Sequence, residues 1–118
     1  MTLFDLADRV RIGRARGRVA FGRDRFFSLA KRKQVAMVWI MDDFSDQATA
    51  KFIIECQKAG VPVVKGGSCD EIGLVTGEPS VKVYLLKAGF PGLPVILRDL
   101  KTAGLLYSDD DEEEVADS

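Results

Sequence analysis

The sequence predicts an α/β domain: a three-layer α-β-α sandwich around a small mixed sheet of about four strands. Helical and strand patterns alternate along the chain, which is typical of helices packed on both faces of a sheet. One apolar run, 35–41, is continuous, as expected of a strand buried on both faces. The chain has 118 residues, 47% of them hydrophobic and 30% charged, which suits a single globular domain. We expect that domain over 1–107 and an acidic tail over 108–118.

The first third of the chain contains a helix, a glycine-rich loop and a second helix. Apolar residues recur at helical spacing from Leu3 to Val10, behind Thr2 as a candidate N-cap. Three glycines bracket three arginines over 13–22, which indicates a loop with a short strand at 18–21. A second amphipathic helix is predicted from Arg23 to Lys33, with cations at its C-terminus.

The middle of the chain continues the alternation of strand and helix. The apolar run ends at Asp42 and Asp43, and Ser45 is a good N-cap for a helix through Ala59. The predicted core face of that helix consists of Ala48, Phe52, Cys56 and Ala59. A short strand follows over 61–64.

The last third supplies two helices and one strand. After a turn at Gly66 and Gly67, Ser68 and Glu71 form a capping box for a helix that ends at Gly77. The segment 81–85 alternates, which predicts a half-exposed strand. Pro94 at a first helical position begins the final helix, which runs to Ala103.

The formal net charge of −1 conceals a strong asymmetry. Residues 1–35 carry a balance of +7, residues 36–108 a balance of −1, and residues 109–118 a balance of −7. Seven arginines lie within 17 residues, from Arg9 to Arg25. Guanidinium groups fork onto phosphate and stack on bases, so this segment favours contact with a nucleic acid. The alternatives are a solvated basic face and a surface that pairs with the chain's own acidic tail.

The residue inventory argues against an enzyme. The sequence has no histidine, which removes the usual general base and the histidine metal ligands. Ser68 and Cys69 could be proposed as nucleophiles, but the cap explains Ser68 and no base is available. The glycine spacing over 13–22 matches no phosphate-binding loop. We expect no catalytic residue, cofactor, resident metal or small-molecule substrate.

Three smaller features have two interpretations each. Asp42, Asp43 and Asp46 could hold magnesium, although a strand-end aspartate pair more often caps the next helix. Cys56 and Cys69 could form a disulfide, although lone cysteines are more often buried small hydrophobes. The aromatic residues beside the arginines could stack on bases or belong to the core; these are Phe21, Phe26 and Phe27.

No segment of the sequence predicts targeting or membrane insertion. The N-terminus has acidic residues and no apolar core of a signal peptide. No apolar run approaches the roughly 20 residues of a membrane span. We expect a cytoplasmic protein without a membrane partner.

Four stretches carry a family resemblance: Gly17–Gly22 (GRVAFG), Val35–Asp43 (VAMVWIMDD), Cys56 with Gly60–Val63 (GVPV), and Ser68–Gly77 (SCDEIGLVTG). Together they resemble the ribosomal proteins L-seven-Ae and L-thirty-e, and most closely the short bacterial relatives of the YlxQ type. The resemblance covers roughly residues 14–88 and implies an α-β-α sandwich. It also implies a non-enzymatic protein that binds kinked RNA helices, the kink-turns.

The resemblance places the RNA contacts at the start of the second helix and in the loop before the Ser68 helix. The implied contact residues are Gly22, Arg23, Asp24, Arg25, Ser28, Gly66, Gly67, Ser68 and Cys69, and the arginine-rich loop adds Arg14, Arg16 and Arg18. Asp24, Arg25 and Ser28 stand where kink-turn binders carry Asn, Glu and Lys. This departure predicts contacts to the phosphate backbone in place of base-specific contacts.

The resulting prediction is an RNA-binding protein that associates with the ribosome or with another structured RNA, including rRNA. Ribosomal or RNA-processing proteins are further expected partners. The first alternative is a protein-interaction module of the same fold, in which the acidic tail engages a basic partner or the chain's own basic patch. A second alternative is the substrate-binding piece of an RNA-modifying enzyme, acting through a catalytic partner.

Overall fold

Helices and strands alternate in the computed structural model, which describes residues 1–107. Its elements are α1 (Leu3–Ala15), β1 (Val19–Phe21), α2 (Arg23–Lys31), β2 (Val35–Ile40), α3 (Asp46–Lys58), β3 (Val63–Lys65), α4 (Cys69–Thr76), β4 (Val83–Lys87) and α5 (Leu93–Thr102). The predicted acidic tail, 108–118, lies outside the described residues.

The four strands form one mixed sheet in the order β1-β4-β2-β3. β2 and β3 are parallel, whereas β4 runs antiparallel to both of its neighbours, β1 and β2. The C-terminal ends of β1, β2 and β3 and the beginning of β4 therefore lie at the same end of the sheet. The loops that connect these strand ends to the helices are brought together there.

Two hydrophobic cores, one on each face of the sheet, confirm the three-layer sandwich. Side chains of α1, α4 and α5 pack against one face, including Leu6, Ile72 and Leu100. Phe26 of α2 and Phe52 of α3 pack against the other. β2 supplies both cores, since Met37 and Trp39 face one layer and Val38 and Ile40 the other. This accounts for its continuous apolar run, each large side chain contributing about 1.5–3 kcal/mol on burial.

The predicted loop over 13–22 is wrong at its beginning, because α1 continues through Gly13 and Arg14 to Ala15. Gly13 acts here as a packing residue. A Cβ atom at this position would lie 2.1 Å from Cε2 of Phe90, so an alanine here would force that ring to move. The close packing of Phe90 on the helix explains a glycine that otherwise reads as a helix breaker.

The predicted half-exposed strand over 81–85 is also wrong. β4 occupies Val83–Lys87, and its first four residues are buried because β4 lies between two other strands. β3 is likewise shifted, to Val63–Lys65. α2 ends at Lys31, two residues earlier than predicted, and Lys33 beyond it has a positive φ of 56°.

The predicted helix caps are confirmed, while the core face of α3 is partly corrected. Thr2, Ser45 and Ser68 each accept a hydrogen bond from a first-turn backbone N–H. On α3 the buried positions are Thr49, Phe52, Ile53 and Cys56, so the predicted core residues Ala48 and Ala59 give way to Thr49 and Ile53. Both cysteines are free and buried. Among residues 1–107, no helix has the length and apolar character needed to cross a membrane.

Candidate nucleic-acid interface

Four loops meet at the end of the sheet where β1, β2 and β3 finish. We call this surface the amide end; it consists of residues 22–25, 41–45, 66–69 and 77–82. Helices α2, α3 and α4 all begin there, so their unpaired backbone N–H groups and positive dipole ends face the same surface. The arrangement favours an anionic ligand.

The beginning of α2 has the most open set of amides at this end. Its N-cap is Gly22, which makes no side-chain hydrogen bond to the helix, unlike Ser45 and Ser68 on α3 and α4. Gly22 has a φ of +92°, a backbone conformation that glycine adopts without strain. The first-turn N–H groups of α2 are therefore not occupied by a capping side chain and can donate to a ligand.

Two exposed arginines, Arg23 and Arg25, flank these amides. The guanidinium of Arg23 lies 5.9 Å from the ring centroid of Phe27, which orients it by a cation–π contact. Within residues 1–107, no ion pair involves Arg23 or Arg25. Both cations are thus available to pair with phosphate at the start of α2.

An open cleft of about 310 Å³ lies next to Gly22. It is lined by Phe21, Gly22, Arg23, Phe44 and residues 80–83. Phe44 and the 80–83 segment were not anticipated as part of the site. The helix stop at Gly77 followed by Pro79 was the available signal, since these residues mark an irregular loop before the next strand.

The 66–69 loop is fixed by the two aspartates that follow β2. Asp42 accepts a hydrogen bond from the Gly67 N–H at 3.2 Å, and Asp43 accepts one from the Cys69 N–H at 2.9 Å. The Trp39 indole N–H donates to the Gly66 carbonyl at 2.9 Å. Both carboxylates therefore accept backbone amides of this loop, and the Asp43 carboxylate does so at the beginning of α4. In the described part of the chain, no three His, Cys, Asp or Glu side chains form a potential metal site.

Ser68 and Cys69 have structural partners that suit the beginning of a helix. The Ser68 hydroxyl accepts from the Glu71 N–H at 3.1 Å, as the capping box predicts. The Cys69 thiol lies 3.2 Å from the Val81 carbonyl. Burial, and secondarily the neighbouring Asp43 carboxylate, raises the pKa of the Cys69 thiol. The thiol is therefore protonated near neutral pH, which disfavours a nucleophilic role.

The 77–82 loop is held in place by packing against α4 and by polar contacts with Tyr84 of β4. The Tyr84 hydroxyl is 2.8 Å from the Thr76 hydroxyl and 3.3 Å from the Glu78 carbonyl. Gly73 packs against Pro79, where a Cβ atom would lie 2.2 Å from Cα of Pro79. These contacts set the position of the wall that faces Gly22 across the cleft.

The structure divides the predicted contact residues into two groups. Gly22, Arg23, Asp24 and Arg25 lie at the amide end with the 66–69 loop, and Ser28 is exposed one turn further along α2. Arg16 and Arg18 precede β1, at the opposite end of the sheet.

Arg14 belongs to neither group. Its guanidinium pairs with the Glu78 carboxylate and lies 3.4 Å from the Thr76 carbonyl. It supports the 77–82 loop from α1.

Comparison with known proteins supports the fold. No protein-family model and no curated protein sequence matches the chain. Among solved structures, a Bacillus halodurans protein of unknown function has a TM-score of 0.68 at 20% identity, covering 79% of this chain and 95% of its own. A Giardia lamblia 15.5 kD RNA-binding protein has a TM-score of 0.66 at 18% identity, covering 85% of this chain and 86% of its own. The fold is thus shared with an RNA-binding protein.

Proposed function

We propose that the chain is a non-enzymatic RNA-binding protein of the L-seven-Ae and L-thirty-e family, of the YlxQ type. The observation that carries the proposal is the uncapped beginning of α2 at Gly22, flanked by an open cleft and by Arg23 and Arg25, which form no ion pair within residues 1–107. The RNA-binding Giardia neighbour and the four motifs resembling the family support it.

In this proposal RNA phosphates bind the first-turn amides of α2, and Arg23 and Arg25 bind the adjacent backbone. Proteins recognise folded RNA largely by shape and by unstacked bases that lie against aromatic or guanidinium groups. The cleft beside Gly22 has both, with Phe21 and Phe44 in its lining and Arg23 at its rim. A base displaced from its stack at a kink fits this chemistry.

Asp24, Arg25 and Ser28 determine which RNA is favoured. The family's Asn, Glu and Lys at these positions contact the bases of the kink, and none of the three is present here. We infer that binding relies on backbone shape and phosphate contacts, with weak base specificity. Structured RNA in the cytoplasm, including rRNA with its ribosomal or RNA-processing proteins, is the proposed setting.

A binding role without catalysis agrees with the chemistry of the site. The sequence contains no histidine, and of the two candidate nucleophiles Ser68 caps α4 and the Cys69 thiol has a raised pKa. The remaining polar groups bind anions or hold loops. The proposed function of the domain is therefore binding without catalysis.

Salt-dependent RNA binding tests the proposal. Mobility shifts against kink-turn, duplex and single-stranded RNA are expected to show log affinity falling by about 0.7–0.9 per phosphate contact as log salt rises. The double variant Arg23→Gln/Arg25→Gln should reduce that slope by about 1.4–1.8. The matched control is Arg9→Gln/Arg98→Gln, which removes the same charge from α1 and α5. Absence of binding at low salt, with and without the acidic tail, would overturn the proposal.

The departures at Asp24, Arg25 and Ser28 favour one alternative, a protein-interaction module in which the tail binds a basic surface. A full-length, tail-neutral variant discriminates the two, with Asp109–Asp111 and Asp117 replaced by Asn and Glu112–Glu114 by Gln. A large gain in RNA affinity indicates a tail that masks a genuine RNA site. No RNA binding by either form supports the interaction module.

A further inference from the structure

The end of the sheet opposite the amide end carries a second, denser set of cations. We call it the basic end; it consists of residues 16–18, 31–34 and 87–92. Its six cations are Arg16, Arg18, Lys31, Arg32, Lys33 and Lys87, and these three segments contain no Asp or Glu. The first two segments follow the C-termini of α1 and α2, while the third follows β4.

Backbone hydrogen bonds fix the two cationic turns on either side of β4. The Lys87 N–H donates to the Arg18 carbonyl at 2.9 Å, and the Ala88 N–H donates to the Gln34 carbonyl at 2.9 Å. The Lys87 ammonium also donates to the Gly17 carbonyl at 3.4 Å. The first turn precedes β1 and the second precedes β2, and β4 lies between these two strands. The two turns are therefore two strand spacings apart, about 10 Å. The basic end is therefore a built surface with fixed positions for its charges.

The cations of the basic end have few partners within the domain. In residues 1–107, none of the six is in an ion pair. Five are exposed and Lys87 is half-buried. Complementing the helix dipoles explains one or two cations, each contributing about 0.3–1 kcal/mol, but leaves the others unexplained. One acidic side chain, Glu55, lines a groove with Lys31, and it is paired with Lys58 at 3.6 Å.

We propose that the basic end is a second phosphate-binding surface, which holds an RNA segment other than the one at the amide end. The inference rests on the proposed RNA function and extends it from one contact surface to two. Three of the six cations are arginines, whose forked guanidinium matches phosphate. The two ends are separated by the length of β4, about 13 Å, together with the loops at each end.

An RNA backbone suits this surface better than a folded protein does. Protein interfaces depend on buried apolar and aromatic anchors at their centre. The exposed large hydrophobic residues of the described chain are Phe4, Ile12, Ile54, Leu74 and Val95, and none belongs to the three segments of the basic end. A surface of cations without an apolar anchor is typical of sequence-independent backbone contact.

The test compares neutralisation of each end in the full-length protein. The basic-end variant is Arg16→Gln/Arg18→Gln/Arg32→Gln, and its control is Arg9→Gln/Arg98→Gln/Lys101→Gln. The probes are a minimal kink-turn hairpin and an extended RNA in which the same kink-turn carries long duplex arms. On the extended RNA, the basic-end variant should reduce the salt slope by about 2, with no change on the minimal hairpin. Thermal unfolding of each variant verifies that it folds.

The outcomes separate this inference from the proposed function. If Arg23→Gln/Arg25→Gln weakens binding and the basic-end variant behaves as its control on both probes, the second surface is overturned and the first stands. If only the basic-end variant weakens binding, the second surface is supported and the amide end is overturned. Loss of the basic-end effect in the tail-neutral background assigns that end to the chain's acidic residues and overturns the inference.

Discussion

The amide end and the basic end use opposite means to attract an anion. At the amide end three helices begin, and the cations Arg23, Arg25 and Lys82 are mixed with acidic residues such as Asp24 and Asp42. Attraction there depends on backbone N–H groups with a fixed geometry. At the basic end α1 and α2 terminate, and attraction depends on side-chain charge alone.

This difference separates shape recognition from general affinity. Fixed amides around a cleft can distinguish one backbone geometry from another, whereas exposed cations bind any polyanion and are screened by salt. The arginine-rich segment is continuous in sequence but contributes residues to both ends, because β1 crosses the sheet between Arg18 and Gly22. Position on the sheet, and not proximity in sequence, decides which arginines lie on the same surface.

The largest expected effect is on the free energy of unfolding, from substitution of two closely packed glycines. Gly73 packs against the 77–82 loop of the amide end, and Gly13 packs against Phe90 of the basic end. Gly73→Ala would place a Cβ atom 2.2 Å from Cα of Pro79, a backbone atom of the amide-end loop. Gly13→Ala would place one 2.1 Å from the Phe90 ring, a side chain that can rotate. Overpacking costs about 1–3 kcal/mol, so we expect Gly73→Ala near 3 and Gly13→Ala near 1 in urea unfolding. Equal losses of unfolding free energy in the two variants would show that the Pro79 backbone and the Phe90 ring move with equal ease.

The buried Cys56 thiol, which lies at neither end of the sheet, should make the stability of the domain depend on pH in the alkaline range. Burial raises the pKa of Cys56 from 9.0 to about 12. Because the folded-state pKa lies above the unfolded value, the stabilisation is complete below pH 9 and is lost as the pH rises toward 12. Between pH 9 and 10 the wild type should lose about 1 kcal/mol more than Cys56→Ala, because the unfolded thiol is half ionised at pH 9 and almost fully ionised at pH 10. If the unfolding free energies of wild type and Cys56→Ala, measured by chemical unfolding, fall equally between pH 9 and 10, this prediction is wrong.

The sequence predicted the layers and caps because these depend on local patterns. The alternating elements, the buried run of β2 and the side-chain caps Ser45 and Ser68 all follow from spacing and residue type, and the structure confirms them. Gly22 and the 66–69 loop could be placed at strand–helix junctions for the same reason. Which junctions share an end of the sheet was not predictable from those patterns.

The errors arose where tertiary packing overrides local preference. Gly13 favours a loop when judged from the sequence alone, yet it lies within α1, where the ring of Phe90, remote in sequence, packs in the place of a Cβ atom. β4 was predicted as half-exposed because its place between β1 and β2 depends on long-range pairing. The sequence does not predict that the 77–82 loop lies beside Gly22. The loop is positioned by contacts of Tyr84 with Thr76 and of Gly73 with Pro79, which no local sequence pattern indicates.

Ser68 tests whether an amide-end cap also contacts RNA. Ser68→Ala and Ser45→Ala each remove a side-chain cap, with bonds of 3.1 Å and 3.2 Å, and each should cost about 1 kcal/mol in stability. While it accepts from the backbone, the Ser68 hydroxyl can still donate to a phosphate. We therefore expect Ser68→Ala to lose about 1 kcal/mol of RNA affinity, roughly fivefold, and Ser45→Ala to lose none. Unchanged affinity for both would make Ser68 a helix cap only.

Arg14 gives the smallest expected effect and distinguishes an arginine paired within the domain from those proposed to bind phosphate. Its side chain is 43% exposed and that of its partner Glu78 is 26% exposed, so solvent screens the pair. A double-mutant cycle of Arg14→Gln and Glu78→Gln should give a coupling of about 0.5 kcal/mol. The Arg11–Asp8 pair, at 56% and 55% exposure, should couple less and is the control.

Because the Arg14 guanidinium is already paired, Arg14→Gln should leave the salt slope of binding to the extended RNA unchanged, whereas Arg16→Gln/Arg18→Gln should lower it by about 1.4–1.8. A slope reduced by Arg14→Gln alone would return this arginine to the RNA surface. It would also show that the pair with Glu78 opens when RNA binds, so that one cation exchanges a carboxylate of the loop for a phosphate.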